Sequence, residues 1–274
     1  LTILEVAKSA AHAGGKVLME HFGRLSASSI RVKSDNDFIS FVDEQSEKTI
    51  LGIIREAFPD HSFLAEEIGR SGHTNPYHWL IDPLDGTRNY LSGIPIFCIS
   101  IALQYNDELI CGVVFDPVRN ELFSAAKGQG AFLNDQPVHV SDKTHLSECL
   151  LATGFPFKTR HILPKYLQAF ERVFLSCISM RRMGSAAIDM AYVAAGRFDA
   201  YWEIGVGPWD VAAGAVLIAE AGGNVTDFWN KPDFVHNSHV LASNGKIHRE
   251  LSDHLQNVFP FFIPHTERPS GGQL

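Results

Sequence analysis

The stretch WLIDPLDGTRNYLSGIPIFCISIAL, Trp79 to Leu103, decides how this chain is read. Two apolar runs flank Asp82, Pro83, Leu84, Asp85, Gly86 and Thr87. The residues before them read as a strand buried on both faces, with Asp82 at its end. Pro83 fixes the next φ, and the spacing predicts a tight turn that brings Asp82 and Asp85 to the same side. Two unpaired carboxylates at close range repel, and a divalent cation is the natural compensation. With no cysteine or histidine expected nearby, oxygen-only donors point to Mg²⁺ or Mn²⁺ rather than Zn²⁺. Gly86 and Thr87 then present backbone N–H groups at a short helix start, an arrangement suited to phosphate. DPLDG also reads as a plain turn with an Asx cap.

Three other acidic features bear on that choice. Glu66 and Glu67 close a short strand, where solvated edge acids are common. Asp210 follows Pro208-Trp209 at the start of an apolar helix, and Asp43 stands at another helix start. First-turn acids are ordinary there, because the helix dipole favours them. Taken together, four acidic sites at element ends suit a multi-metal phosphate site.

Further out, residues 2–22 carry Ile3, Ala7, Ala10, Ala11, Val17, Leu18 and Phe22 at helical spacing, closed by Gly23. A strand or turn is expected around 38–42 and a second helix over 43–58, stopped by Pro59. SFLAEE (62–67) reads as a strand. From 78 to 133 the period changes: HWLID, FCISIALQY, ELICGVVFD, ELFSAA and GAFLN are strands separated by turn chemistry, an antiparallel meander. The rest alternates: strand CLLATGF, helix 164–176, strand SMRRMG, helix 185–196, strand DAYWEI, helix PWDVAAGAVLIAEAGG, strands NVTDF and HVLASN, helix 246–258. Such blocks favour an α+β layered fold over a doubly wound parallel sheet. The expected division is an N-terminal half over 1–140, a C-terminal half over 141–262 and a frayed tail over 263–274.

The 274 residues are 45% hydrophobic and 20% charged, with a net charge of −8. That balance argues against nucleic acid as a primary ligand. The four cysteines, Cys98, Cys111, Cys149 and Cys177, lie in no CxxC pair, so buried free thiols in a reducing compartment are expected. No apolar run reaches the roughly 18 residues of a membrane span. The first residues lack a signal peptide's basic region, so the cytoplasm is the expected location. Leu1 is not a usual start, so a preceding residue is expected.

The motifs EE (66–67), WLIDPLDGTRNY (79–90), GSAAIDMAYVAAGRFDAYWEIG (184–205) and PWDVAAGAVLIAEAGG (208–223) closely resemble the inositol monophosphatase family, and LLATGFPFKTR (150–160) resembles its bacterial branch. The likeness runs from about residue 2 to 258, with motif order and spacing in agreement. It implies a layered α/β/α/β/α sandwich of the sugar-phosphatase type with mixed and antiparallel sheets. Glu66, Asp82, the Leu84 carbonyl, Asp85 and Asp210 resemble the ligands of two or three Mg²⁺ ions, with Mn²⁺ as an alternative. Gly86 and Thr87 resemble the phosphate-holding amides. Thr87, Asp43 and Glu66 resemble the groups that position or activate the attacking water, and Ala186, Glu203 and Asp210 those that contact substrate. Glu67 resembles a supporting acid, and Lys33 a loop residue near the site. The implied activity is Mg²⁺-dependent hydrolysis of inositol monophosphate or a similar polyol phosphate, sensitive to Li⁺, in a homodimer without membrane attachment. Fructose-1,6-bisphosphatase or 3′(2′),5′-bisphosphate nucleotidase activity on the same site, or a regulatory binding role, are the alternatives. Arg88, Tyr90 and Gly207 depart from the common pattern, at positions bearing on substrate preference and subunit contacts.

Other signals carry less. HNSH (236–239) reads as a surface loop. KGQG (127–130) reads as a turn, and GGK (14–16) lies inside a helix without phosphate-loop spacing. The MRRM arginines (180–183) read as a strand facing solvent or a partner subunit.

Overall fold

In the computed structural model, the described residues are 2–25, 30–34, 37–72 and 75–260, with backbone alone at 30–34, 37–40 and 158. The expected tail and Leu1 lie outside them, as does the side chain of Lys33. Chain order is α1 (Ile3–His21), β1 (Ile30–Ser34), β2 (Asp37–Ser40), α2 (Phe41–Ala57), β3 (Ser62–Ala65), β4 (Gly69–Gly72), β5 (Tyr77–Asp85), α3 (Thr87–Leu91), β6 (Cys98–Tyr105), β7 (Glu108–Asp116), β8 (Glu121–Ala126), β9 (Ala131–Leu133) and β10 (Gln136–Val138). Then follow β11 (Leu150–Thr153), α4 (Leu163–Phe174), β12 (Ser179–Arg181), α5 (Ala186–Ala194), β13 (Ala200–Ile204), α6 (Pro208–Glu220), β14 (Asn224–Thr226), α7 (Phe234–Asn237), β15 (His239–Ser243) and α8 (His248–Gln256). Among the described residues no helix is long and apolar enough to cross a membrane.

The fold is α+β in layers. β10-β9-β8-β7-β6-β5-β3-β4 form an eight-stranded sheet, antiparallel except for the parallel pair β3 and β5. β12-β11-β13-β15-β14 form a mixed five-stranded sheet. Three cores separate the layers. Val6, Ala10, Leu18 and Ile50 of α1 and α2 meet Trp79, Ile81 and Ile101 on one face of the large sheet. On its other face, Leu80, Ala102 and Val114 meet α5 and α6, which also cover Ala152 and Tyr201 of the small sheet. Tyr166, Val173 and Leu251 of α4 and α8 close the outer face against Leu151, Trp202 and Leu241.

Glycines permit the close approaches. A Cβ on Gly14 or Gly15 would fall 2.7 Å from Ile99 or 2.5 Å from Phe115, so GGK serves packing of α1 on the sheet.

Several boundaries differ from the expectation. α2 starts at Phe41, placing Asp43 in its first turn. The strand read as SFLAEE stops at Ala65, so the two glutamates lie in the turn beyond it. β4 is hidden in the sequence by glycines at both ends, each with positive φ. β10 is hidden by Pro137, tolerated because β10 is an edge strand. HNSH is not a surface loop. It ends α7 and begins β15, and Asn237 and His239 are buried. Of the thiols, Cys98, Cys111 and Cys149 are buried, whereas Cys177 is half-buried.

Candidate active site

β5 does not stop at Asp82. It runs on to Asp85 and pairs with β6 throughout, Asp82 opposite Ser100 and Asp85 opposite Cys98. Three steps along β5 match two along β6, so one extra residue is accommodated as a bulge. In a regular strand, residues three apart face opposite ways. The bulge resets the alternation: Ile81 and Leu84 both face the α1–α2 core, and Asp82 and Asp85 share the other side. The expected tight turn is therefore a bulge, with the same result for the carboxylates. It is pinned from both directions. Ser46 Oγ of α2 donates to the Pro83 carbonyl at 3.0 Å, and the Leu84 N–H donates to Asp82 Oδ1 at 2.9 Å.

Asp210 arrives from α6. Its Oδ2 accepts the Gly207 N–H at 2.6 Å, as a first-turn acid does, and Ser100 Oγ donates to the Trp209 carbonyl at 2.8 Å, fastening the helix start to β6. Carboxylate oxygens of Asp82, Asp85 and Asp210 thereby lie within 4.8 Å of one another. Burial, then the charges of Glu66, Asp85 and Asp210, push the Asp82 carboxyl well above the usual range. Burial and Asp210 push Asp85 to about 7. Glu66 is thus the strongest charged influence on Asp82, although it stands outside the closest trio.

Asp85 is oriented by residues that the sequence reading gave no role. Its Oδ2 accepts Ser185 Oγ at 2.6 Å, the Ala187 N–H at 2.8 Å and the Cys98 thiol at 3.8 Å. Ser185 is also the N-cap of α5. The signal available was a serine opening a small-residue helix; strand alternation in β6 places Cys98 beside Ser100. The expectation of no cysteine nearby is thus corrected. Burial pushes that thiol well above its ordinary range, so it is a neutral donor rather than a soft thiolate ligand. The cluster keeps oxygen donors alone, mutually repelling, with Asp82 and Asp85 buried and Asp210 half-buried, and such a set fits a hard divalent cation.

Gly86 ends the strand with φ +92°, a conformation suited to glycine, and a Cβ there would lie 2.9 Å from the Ile96 carbonyl. It caps the five-residue α3, whose first residue, Thr87, donates its hydroxyl to the Leu84 carbonyl at 3.0 Å. Asp43 is buried on α2, and its charge reaches Tyr90. Tyr90 is itself buried and donates to the Leu18 carbonyl at 2.7 Å. Glu67 lines a separate groove with Glu44, Glu47 and Arg55, its N–H on Glu47 Oε2 at 3.0 Å.

A cavity of about 120 Å³ opens over Asp85 and Asp210, lined also by Ala186, Glu203, Phe157 and Arg182 among others. Ala186 and Glu203, expected to contact substrate, line the same cavity as the two aspartates. Burial pushes Glu203 up to about 7, against a hydrogen bond from the Tyr201 hydroxyl. Gly154 makes room for it: a Cβ there would stand 1.8 Å from Glu203 Cδ. Arg182, expected on a solvent- or partner-facing strand, is exposed just past the end of β12 and also lines the mouth of the cavity.

The family model described as the inositol monophosphatase family matches residues 1–258. The chain is 42% identical over 271 residues to Nus factor SuhB of Pseudomonas aeruginosa, covering 97% of this chain and 99% of that protein. It is 43% identical over 245 residues to the fructose-1,6-bisphosphatase/inositol-1-monophosphatase of Aquifex aeolicus, covering 89% and 92%. Among solved structures, the inositol monophosphatase from Anabaena superposes with a TM-score of 0.83 at 44% identity, covering 93% of this chain and 95% of that one. The suhB protein of Bartonella henselae gives 0.89 at 37% identity, covering 93% and 98%.

Proposed function

The chain belongs to the inositol monophosphatase family, and from that premise we propose that it is a Mg²⁺-dependent phosphomonoesterase acting on inositol monophosphate or a similar polyol phosphate. The observation that carries the reading is the trio of Asp82, Asp85 and Asp210, two of which line a cavity together with Ala186 and Glu203. Asp82, Asp85 and Asp210, with Glu66 and the Leu84 carbonyl, would hold two or three Mg²⁺ ions, or Mn²⁺. When bound, the ions neutralise the phosphate and lower the pKa of a water.

The chain's own groups do the rest. The amides at Gly86 and Thr87 face the phosphate oxygens as fixed donors. The Thr87 hydroxyl, held by the Leu84 carbonyl, and the buried Asp43 orient the attacking water, with Glu66 beside Asp82. Glu203, steadied by the Tyr201 hydroxyl, accepts a hydroxyl of the substrate, and Ala186 and Asp210 bound the same pocket. The layered halves divide the labour: residues 1–140 bring most of the ligands, and residues 141–262 bring Asp210 and the substrate contacts.

Li⁺ competition for a cation position and a homodimer belong to the same proposal. The exposed Leu167, Phe174, Leu175 and Ile178 support the dimer by offering an apolar face along and after α4. Three buried thiols support a reducing, cytoplasmic setting. A second reading, a regulatory role alongside catalysis, is favoured by relatives named Nus factor SuhB.

The test is phosphate release from inositol 1-phosphate with Mg²⁺, Mn²⁺ and Li⁺ as variables, on the wild-type chain and on Asp85→Asn. The expected loss in the variant is about 100-fold or more, because a bound metal supplies several kcal/mol of transition-state stabilisation. Equal turnover in both proteins, or activity indifferent to a chelator, would remove the proposal.

A further inference from the structure

Over one end of the large sheet, the layer of α5 and α6 gives way to open space. Leu80 and Ala102 pack into the core those helices cover, with Leu64 at its edge. One alternation further along the same face stand Ser62, His78 and Gln104. Ser62 pairs with His78 and His78 with Gln104, which sets the three side by side. α6 begins at Pro208, and Pro208 lines a second cavity, of about 580 Å³, that opens over this strip. Leu64 and Leu80 line it together with His78, Gln104 and Arg70, the last opposite Leu64 on β4. Asp82, Asp85 and Asp210 take no part in its walls.

Gln104 is 6% exposed and lines the cavity, and among the described residues its carboxamide makes no hydrogen bond. An unpaired buried amide costs free energy that a ligand can recover. His78 is short of a partner too. Ser62 Oγ has one proton and donates it to the Tyr77 carbonyl at 3.0 Å, so its contact of 2.7 Å with His78 Nδ1 places the ring N–H on Nδ1. Burial, then the charge of Arg70, hold this imidazole below its ordinary pKa, while Asp107 acts the other way. Nε2 of the neutral ring is therefore a bare acceptor, and it is buried without a hydrogen bond. The rim adds one charge of each sign. Arg70 and Asp107 are exposed, line the cavity, and enter no hydrogen bond or ion pair among the described residues.

We propose that this cavity binds a free α-amino acid with an apolar side chain. Arg70 and the Gln104 amide N–H receive its carboxylate. The Gln104 oxygen receives its ammonium, beside the bare Nε2 of His78 and under the charge of Asp107. The side chain lies over Leu64 and Leu80. A ligand of single charge leaves one rim charge unanswered, and a wholly apolar one leaves Gln104 unpaired, so a zwitterion is the class that satisfies floor and rim together. Pro208 stands on the wall two residues before Asp210, so occupation of the cavity is coupled to the acidic cluster through the start of α6. The amino acid then acts as an effector of cation binding, and the coupling is reciprocal.

Titration calorimetry of the full chain in EDTA, with L-leucine and with L-phenylalanine, reads the site directly. At least one of the two binds. Its amide, which lacks the carboxylate, and its deaminated acid, which lacks the ammonium, each bind about tenfold or more weakly, the scale of one hydrogen bond to a charged group. Gln104→Leu weakens binding by a similar factor yet melts no lower than wild type, because an apolar group of like size replaces an unpaired buried amide. Should that variant fail to fold, Arg70→Gln, a surface change, is read in the same way. Mn²⁺ affinity, titrated with and without saturating amino acid, shifts by about fivefold or more. No binding of either amino acid, equal binding of the amide, or an unaltered affinity in Gln104→Leu overturns the site. An amino acid that binds and leaves Mn²⁺ affinity unmoved overturns its role as an effector. Mn²⁺ that binds in neither condition removes the metal reading of the cluster and the effector role together.

Discussion

Asp82 is 2% exposed, and its carboxylate shares a cluster within 4.8 Å with Asp85 and Asp210, under the added charge of Glu66. Such an arrangement destabilises the metal-free fold, so stability and catalysis pull in opposite directions at this residue. Asp82→Asn keeps an acceptor for the Leu84 N–H and removes one repelling charge. The metal-free variant is expected to melt about 2–4 °C above wild type, the shift of a ~1 kcal/mol change in a chain of this size, while phosphatase activity falls by about 100-fold or more. Differential scanning fluorimetry in EDTA and a phosphate-release assay check the two halves, and a lower melting point in the variant would show that repulsion does not dominate at Asp82. Gly154 poses the reverse problem. A Cβ 1.8 Å from Glu203 Cδ must displace that side chain, so Gly154→Ala is expected to raise KM for a polyol phosphate by about tenfold, the scale of one lost charged hydrogen bond. Fold stability should change far less, because Glu203 borders the open cavity and can swing into it.

The helices and the meander were legible as elements because their periods are long and clean, as in α1 and in β6 to β8. The trio of aspartates was legible as a motif, yet the device that aligns two of them was not. A bulge is a relation between β5 and β6, and the residues Asp82-Pro83-Leu84-Asp85 look equally like a turn. The same holds for Ser185. An N-cap is visible in sequence, but its bond to Asp85 spans 100 positions and depends on α5 docking beneath the large sheet. That docking rests on close helix contact. A Cβ on Gly214 of α6 would lie 2.5 Å from the Met190 Cβ of α5, an atom that cannot swing aside. Gly214→Ala is therefore expected to cost about 1–3 kcal/mol through overpacking. It should also weaken divalent-cation affinity, since α5 carries the groups that hold Asp85. Urea unfolding and Mn²⁺ titration calorimetry read the two effects, and an affinity unchanged in a destabilised variant would uncouple α5 packing from the cluster.

Across the whole molecule the acidic cluster joins layers that fold from different stretches of chain, β5 of the large sheet and α6 of the buried helical layer. Cation binding is then linked to the stability of the assembled fold, and the pH dependence should reveal it. Asp85 and Glu203 titrate near 7 in the folded, metal-free protein, raised chiefly by burial from unfolded values near 4. Because the folded state holds protons more tightly, their contribution is complete below the unfolded values and is lost as pH rises through about 7. His248 runs the other way. Burial between Thr226 and Ser243 pushes it down to about 4, so its contribution is present above the unfolded value of 6.5 and is lost as pH falls toward 4. The window from about pH 6.5 to 8 thus separates the carboxylates from this histidine. In EDTA the melting temperature should fall across that window. With Mg²⁺ at about 100 times its dissociation constant, the gain is about 2.7 kcal/mol, larger at pH 8 than at 6.5 because protons no longer compete for the carboxylates. Melting curves at both pH values, with and without Mg²⁺, test this. Parallel pH profiles in the two conditions would mean that the cation does not bind where the strained carboxylates lie.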